Sequence, residues 1–185
     1  MINEVLQETR ERMGKSEKAF EKELSKVRTG RASQAILDGV NVDYYGTQTP
    51  LPQMATISIP ESRLITVKPW DVSVINQVEK AILKANLGLT PSNDGKLIRI
   101  SIPPLTEERR KEIAKSVSKI CEDYKVAIRN IRRDSNEMLK DLQKEGDISE
   151  DDSFKAQKNV QEATDAHIKS LDEIFAKKEK EILEV

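Results

Sequence analysis

The stretch from residue 107 to residue 145, EERRKEIAKSVSKICEDYKVAIRNIRRDSNEMLKDLQKE, holds neither proline nor glycine. Nothing in it forces the backbone out of a helix, and at 1.5 Å per residue an unbroken helix of this length runs to roughly 58 Å. That is about three times the usual globular helix. Such a rod is stable only if it buries a stripe along its length against partners of similar length. Ile113, Val117, Ile120, Tyr124, Ile128, Ile131, Met138 and Leu142 recur at spacings near three and four and supply the stripe. Lys111, Lys115, Lys119, Lys125, Arg129, Arg132 and Arg133 fall on the other side as a basic rail.

Two arginines on the rail lack the acidic neighbour that most helical surface cations have three or four residues away. Arg129 has Lys125, Val126, Arg132 and Arg133 at those positions, and Arg132 has Ile128, Arg129, Ser135 and Asn136. Like-charge neighbours on a helix cost a few tenths of a kcal/mol each, about 1 kcal/mol here in total. Local stability does not ask for this arrangement. A planar, bidentate grip on phosphate does. The competing readings are a solvated face, or arginines paired to acids on a neighbouring helix.

Two further helices are expected beside the rod. Residues 2–28 carry Ile2, Leu6, Met13, Phe20, Leu24 and Val27 on one face, with Gly30 as a left-handed stop and Arg28 in the last turn. After a break at Gly146 and a cap at Ser149, a third helix places Thr164, Ile168, Leu171, Phe175, Lys178 and Ile182 along one stripe. The link between the second and third is short, so these two are antiparallel, and the three make a bundle with crossings near 20°.

Between the first helix and the rod the pattern changes. Val40, Val42 and Tyr44 alternate with polar residues, YYGTQTPLP reads as a turn, and ATISIP and RLITVKPW read as strands. SVINQVEKAILKANLG is a short amphipathic helix, TPSNDG is turn chemistry and LIRISIPP is a further strand. The expected organisation is α+β with two domains. Residues 1–30 and 105–185 form the bundle, and residues 31–104 are an inserted β/α/β domain. The chain crosses between them at Gly30–Arg31 and at Pro103–Pro104–Leu105. Two short adjacent connections suit a hinge that lets two rigid bodies reorient.

A third of the 185 residues are charged and only 4% are aromatic, a balance of long exposed helices rather than of a large compact enzyme. The net charge of −1 conceals segregation: residues 107–133 carry nine basic and five acidic side chains, and residues 134–185 carry eight and fifteen. With one cysteine, Cys121, no intramolecular disulfide can form. MINEVLQETRERM is amphipathic without a signal-like apolar run, and the expected location is the cytoplasm. The single histidine, His167, is read as a packing residue between helices, and Cys121 as a small buried hydrophobe. No metal-ligand spacing, phosphate loop or acid–base constellation stands out, so the expectation is a binding protein that is not an enzyme. A coiled-coil-like scaffold or chaperone-type binding protein is the alternative. It explains three amphipathic helices but neither the acid-free arginines nor a folded insertion.

RTGRAS at 28–33, VDYYGT at 42–47, PLTEERRK at 104–111, VAIRNIRRD at 126–134 and ISEDD at 148–152 together make the chain resemble the bacterial ribosome recycling factor family, end to end and in order. Gln34 and Gln48 stand where that family often has proline. The resemblance implies an L-shaped, transfer-RNA-like monomer that binds the ribosome after termination, mainly through large-subunit ribosomal RNA. It implies that elongation factor G with GTP then drives the subunits apart so that ribosomes leave the messenger. No cofactor is implied for this chain, since GTP belongs to the partner, and neither DNA nor membrane is implied as a partner. The family's RNA-contacting arginines sit in motifs that here supply Arg28, Arg31, Arg129, Arg132 and Arg133. Arg110 and Lys125, on the same long helix, complete the expected contact set. Gly30, Arg31, Pro103, Pro104 and Leu105 form the expected hinge.

Overall fold

The computed structural model describes residues 1–184. Among the described residues there are four α-helices, α1 (Ile2–Ser25), α2 (Ile75–Lys84), α3 (Glu107–Lys144) and α4 (Glu150–Leu183). Six strands lie between α1 and α3: β1 (Asn41–Tyr44), β2 (Thr47–Pro50), β3 (Ala55–Glu61), β4 (Leu64–Pro69), β5 (Pro91–Asn93) and β6 (Ile98–Ser101). The chain divides into two compact units, Met1–Val27 with Lys111–Glu184, and Arg28–Arg110.

The first unit is built from α1, α3 and α4. Thr106 Oγ1 accepts from the Arg109 amide at 3.2 Å, and Glu107 and Glu108 sit in the first turn of α3, where carboxylates complement the helix dipole. At the far end Gly146 takes φ +83°, the Asp147 amide reaches the Leu142 carbonyl at 3.0 Å, and the Gly146 amide reaches that of Gln143 at 3.1 Å. These are the two bonds of a Schellman stop, and glycine is there for its left-handed backbone. Ser149 then caps α4, its Oγ accepting from the Asp152 amide at 3.1 Å.

Two apolar clusters hold the helices together. One contains Met13, Phe20, Leu24, Val117, Cys121, Ile128, Ile131, Leu171 and Ile182. The other contains Leu139, Ala156 and Val160, with Ile2, Val5, Leu6 and Ile148 against them. Between them the seam turns polar, with Thr9, Ser135 and Thr164 buried. Thr9 Oγ1 and Ser135 Oγ lie 2.6 Å apart, and each also reaches the carbonyl four residues earlier on its own helix. Two hydroxyl protons cannot serve three contacts, so one hydroxyl donates to the other and gives up its own carbonyl. The stripe of α3 therefore differs from the sequence expectation. Met138 is exposed, and the seam continues through Cys121, Ser135 and Leu139.

The first helix is also shorter than expected. It stops at Ser25, and its last turn tightens as the Lys26 amide bonds to the Glu23 carbonyl and the Val27 amide to that of Leu24. Gly30 does not stop it. Gly30 has φ +80° in the second unit, where an added Cβ would lie 3.3 Å from Leu105 Cγ. The left-handed backbone and the close approach of Leu105 both require glycine there. Arg28 consequently lies outside the helix.

In the second unit β3, β4, β6 and β5 form one antiparallel sheet in that order, and β1 and β2 form a separate hairpin. The hairpin turns at Tyr45 and Gly46, with φ +49° and +85° between the paired Tyr44 and Thr47. Two consecutive positive φ values match the twist that a two-residue loop needs. Ile65, Val67, Ile98 and Ile100 project from the sheet onto Val78 and Ile82 of α2, and Leu37, Val42 and Leu51 complete this core. Among the described residues no helix is long and apolar enough to cross a membrane.

Candidate nucleic-acid interface

At 100° per residue Lys125, Arg129, Arg132, Arg133 and Asn136 fall within an arc of roughly 100° on α3. The centre of that arc lies roughly 90° from the buried direction set by Val117, Cys121, Ile128, Ser135 and Leu139. The rail thus flanks the core instead of opposing it. This is why Lys125, Arg129 and Arg132 are half-buried while Arg133 is exposed. Flanking positions let the aliphatic stems cover apolar surface and keep the guanidinium heads at the edge.

The heads are not neutralised. Among the described residues none of Arg129, Arg132 or Arg133 forms an ion pair. Arg132 reaches α4 only through a neutral contact, its Nη1 donating to Gln161 Oε1 at 3.2 Å. Gln161 Nε2 in turn donates to Asp165 Oδ1 at 2.8 Å, which orients the amide oxygen toward the arginine. The nearest acid in sequence, Asp134, is taken by Arg12 of α1, with Arg12 Nη2 2.7 Å from its Oδ2. Three full positive charges therefore share one strip without an internal counter-charge.

Lys125 is different. Its ammonium lies 2.6 Å from Asp172 of α4 and 3.0 Å from Glu122, and its side chain is 14% exposed. The hydrogen bond to Asp172 is the main cause holding it above the usual lysine range. This cation, expected among the RNA contacts, ties α3 to α4.

Arg28, Arg31 and Arg110 belong to the second unit. Arg28 and Arg31 are exposed, and Arg110 is half-buried. With Gly30, Ile36, Leu89, Ile102, Pro103 and Leu105, Arg28 and Arg31 line a small cleft of about 80 Å3. Pro104 is exposed beside it. The residues expected as a hinge therefore lie together around one apolar pocket with two arginines at its lip.

Sequence reasoning missed several polar partners. Gln161 gave no signal, because an exposed glutamine on an acidic helix is unremarkable until its neighbour across the seam is known. Asn136 has a buried Oδ1 with no hydrogen-bond partner, one turn beyond Arg132. An unsatisfied acceptor costs about 1–3 kcal/mol and does not serve packing. His167 packs between helices, and its Nδ1 lies 2.6 Å from Glu17 Oε2 while Ser170 Oγ donates to Glu17 Oε1 at 2.5 Å. Burial pushes the Glu17 carboxyl up, but the bonds from Ser170 and His167 outweigh it and hold it below the usual carboxylate range. Cys121 is buried, with its Sγ 3.9 Å from the Leu171 carbonyl, and burial pushes the thiol up. Among the described residues no group of three or more His, Cys, Asp or Glu is placed to hold a metal ion.

Comparison with known proteins gives one consistent result. The family model described as ribosome recycling factor matches residues 20–183. The ribosome-recycling factor of Desulforapulum autotrophicum is 69% identical over 185 residues, covering all of both chains. That of Bacillus licheniformis is 54% identical over 185 residues, again covering both in full. A solution structure of the ribosome recycling factor superposes with a TM-score of 0.81 at 37% identity, covering 100% of this chain and 98% of that one. The T. thermophilus ribosome recycling factor, described together with E. coli elongation factor G bound to the E. coli post-termination complex, gives a TM-score of 0.68 at 45% identity over 99% of both chains.

Proposed function

From the premise that this chain belongs to the ribosome recycling factor family, we propose that it binds the post-termination ribosome and, with elongation factor G and GTP, splits the subunits. The observation that carries the reading is the strip of Arg129, Arg132 and Arg133 without an internal counter-charge. Folded RNA is held through backbone and shape more than through base edges, and planar guanidinium groups suit phosphate oxygens. Arg28 and Arg31 add cations on the second unit, and Arg110 lies at the start of α3. In this reading the chain acts as a cytoplasmic monomer and carries out no hydrolysis, GTP being consumed by its partner. Reorientation at Gly30–Arg31 and Pro103–Leu105 would turn a grip on large-subunit ribosomal RNA into leverage.

The test is sedimentation of post-termination ribosomes with this chain, elongation factor G and GTP, leaving out each in turn. Free subunits should appear only with all three. Subunits appearing without this chain, or not appearing with the complete set, would overturn the proposal.

A further inference from the structure

The second unit carries a cleft that has no part in the arginine strip. It holds about 330 Å3 and is lined by Tyr44, Thr49, Gln53, Met54, Trp70 and Asp71. Trp70 in its wall and Tyr45 beside it are fixed by their polar ends. Trp70 Nε1 donates to Thr56 Oγ1 at 3.0 Å, yet Trp70 is 67% exposed. Tyr45 meets Tyr44 edge-on with centroids 4.7 Å apart, its hydroxyl donates to Asp71 Oδ2 at 3.1 Å, and it is 73% exposed. Trp70 and Tyr45 thus leave most of their surface to solvent, while Tyr44 packs partly against the core, so the wall is held in place at low further entropy cost to a ligand.

The one charged group lining the cleft is Asp71. Its Oδ1 accepts from the Ser73 amide at 3.0 Å and from Ser73 Oγ at 2.6 Å, and Tyr45 supplies the donor to Oδ2. All of these donors are neutral. Among the described residues no lysine or arginine forms an ion pair with Asp71. The bonds from Ser73 hold its carboxyl below the usual range, so the negative charge is complete at neutral pH. A carboxylate with neutral donors only, in a cleft lined by the exposed Trp70, by Tyr44 and by Met54, matches an organic cation in both sign and shape. A guanidinium can stack on indole or phenol while its N–H groups turn to the carboxylate. A nucleic-acid strand would bring phosphates toward Asp71, which the charge disfavours.

We propose that the cleft formed by Tyr44, Trp70 and Asp71 receives an arginine side chain from a protein partner. This adds a protein-docking point to the chain and does not depend on the ribosomal RNA reading, because the cleft can be probed on the free protein.

Trp70 is the only tryptophan in the chain, so its emission reports the cleft alone. The full-length protein is titrated with the capped tripeptide Gly-Arg-Gly, and separately with capped Gly-Glu-Gly and with oligouridylate. The arginine peptide should change the emission saturably and the glutamate peptide should not. Asp71→Asn retains an acceptor for the Ser73 amide and should weaken the arginine peptide about threefold or more. Tyr44→Leu, which removes a wall of the cleft, should weaken it by a similar factor and decides the matter if the first variant fails to fold. No saturable response to the arginine peptide, an equal response to the glutamate peptide, or unchanged affinity in a folded variant would overturn the proposal. So would oligouridylate binding more tightly than the arginine peptide.

Discussion

Arg132 and Lys125 lie on the same strip of α3, and their surroundings differ. Lys125 is held by Asp172 and Glu122, whereas Arg132 meets α4 only through the Gln161 amide. Arg132→Ala is expected to cost about 0.5–1 kcal/mol, from the aliphatic stem that covers apolar surface and not from an ion pair. It should weaken ribosome binding and flatten the salt dependence by roughly one unit of slope if one phosphate contact is lost. Lys125→Ala should show the reverse, with about 1 kcal/mol lost from folding and ribosome affinity little changed. Urea unfolding beside a binding titration at several salt concentrations separates the two, and an Arg132→Ala protein that melts early but binds normally would remove the strip's function. Glu17 gives a pH test at the same scale. Its carboxyl is held below the unfolded value, so its contribution is complete above the unfolded pKa and is lost as pH falls through the folded one. Glu17→Gln should lower the urea midpoint near neutrality and narrow its gap to the parent as the solution is acidified. A gap that stays constant with pH would mean that the bonds from Ser170 and His167 do not hold the Glu17 carboxyl below its unfolded value.

At the scale of helices and strands, what could be read in the sequence depended on whether one residue type carried the signal. The three long helices, the α2 face and the caps at Thr106, Gly146 and Ser149 follow from periodicity and backbone chemistry and were legible. The end of α1 was not. Gly30 advertises a helix stop, but its positive φ serves the approach of Leu105, a contact between residues 75 apart in sequence. β2 was invisible because TQTP presents no alternating apolar face, and its place is set by the Tyr45–Gly46 turn. Along α3 a seven-residue step from Ile131 leads to Met138, while a straight helix drifts about 20° per heptad and carries the seam to Ser135 and Leu139. Ser135 concealed that drift, since a buried serine looks like a surface residue. The same residue makes an element-scale prediction. Ser135→Ala breaks the bond to Thr9, whose hydroxyl keeps only the Val5 carbonyl, and should cost about 1 kcal/mol, whereas Ser135→Ala with Thr9→Val should cost less than the two single losses added together. A denaturation double-mutant cycle measures this, and strictly additive losses would show that the two hydroxyls are not coupled. For the candidate site, the acid-free arginines were legible, since their lack of helical counter-charges is a property of spacing. The pairing of Lys125 with Asp172 was not, because it depends on how α4 is rotated.

For the molecule as a whole, the question is whether two compact units joined by two crossings work as one rigid piece or as two. Around the crossing residues the second unit has a small apolar pocket, glycine at φ +80° and exposed prolines at 103 and 104. The Leu105 amide makes no backbone hydrogen bond among the described residues. The joint can therefore be stiffened by a backbone change that leaves Arg129, Arg132 and Arg133 in place. Leu105→Pro adds a third consecutive ring to Pro103 and Pro104, fixes φ near −65° and removes no backbone hydrogen bond. Because it also shortens the side chain facing Gly30, its thermal unfolding has to be followed alongside, and a loss of about 1–2 kcal/mol is expected. If reorientation at the joint produces splitting, this variant should keep most of the parent's binding to post-termination ribosomes, since Arg129, Arg132 and Arg133 lie on the other unit and only Arg28 and Arg31 line the pocket of Leu105. It should nonetheless lose most of the light-scattering change that accompanies subunit separation with elongation factor G and GTP. A variant that binds and splits like the parent would show that the crossings are passive tethers. The work would then fall entirely to the partner GTPase pushing on a rigid body.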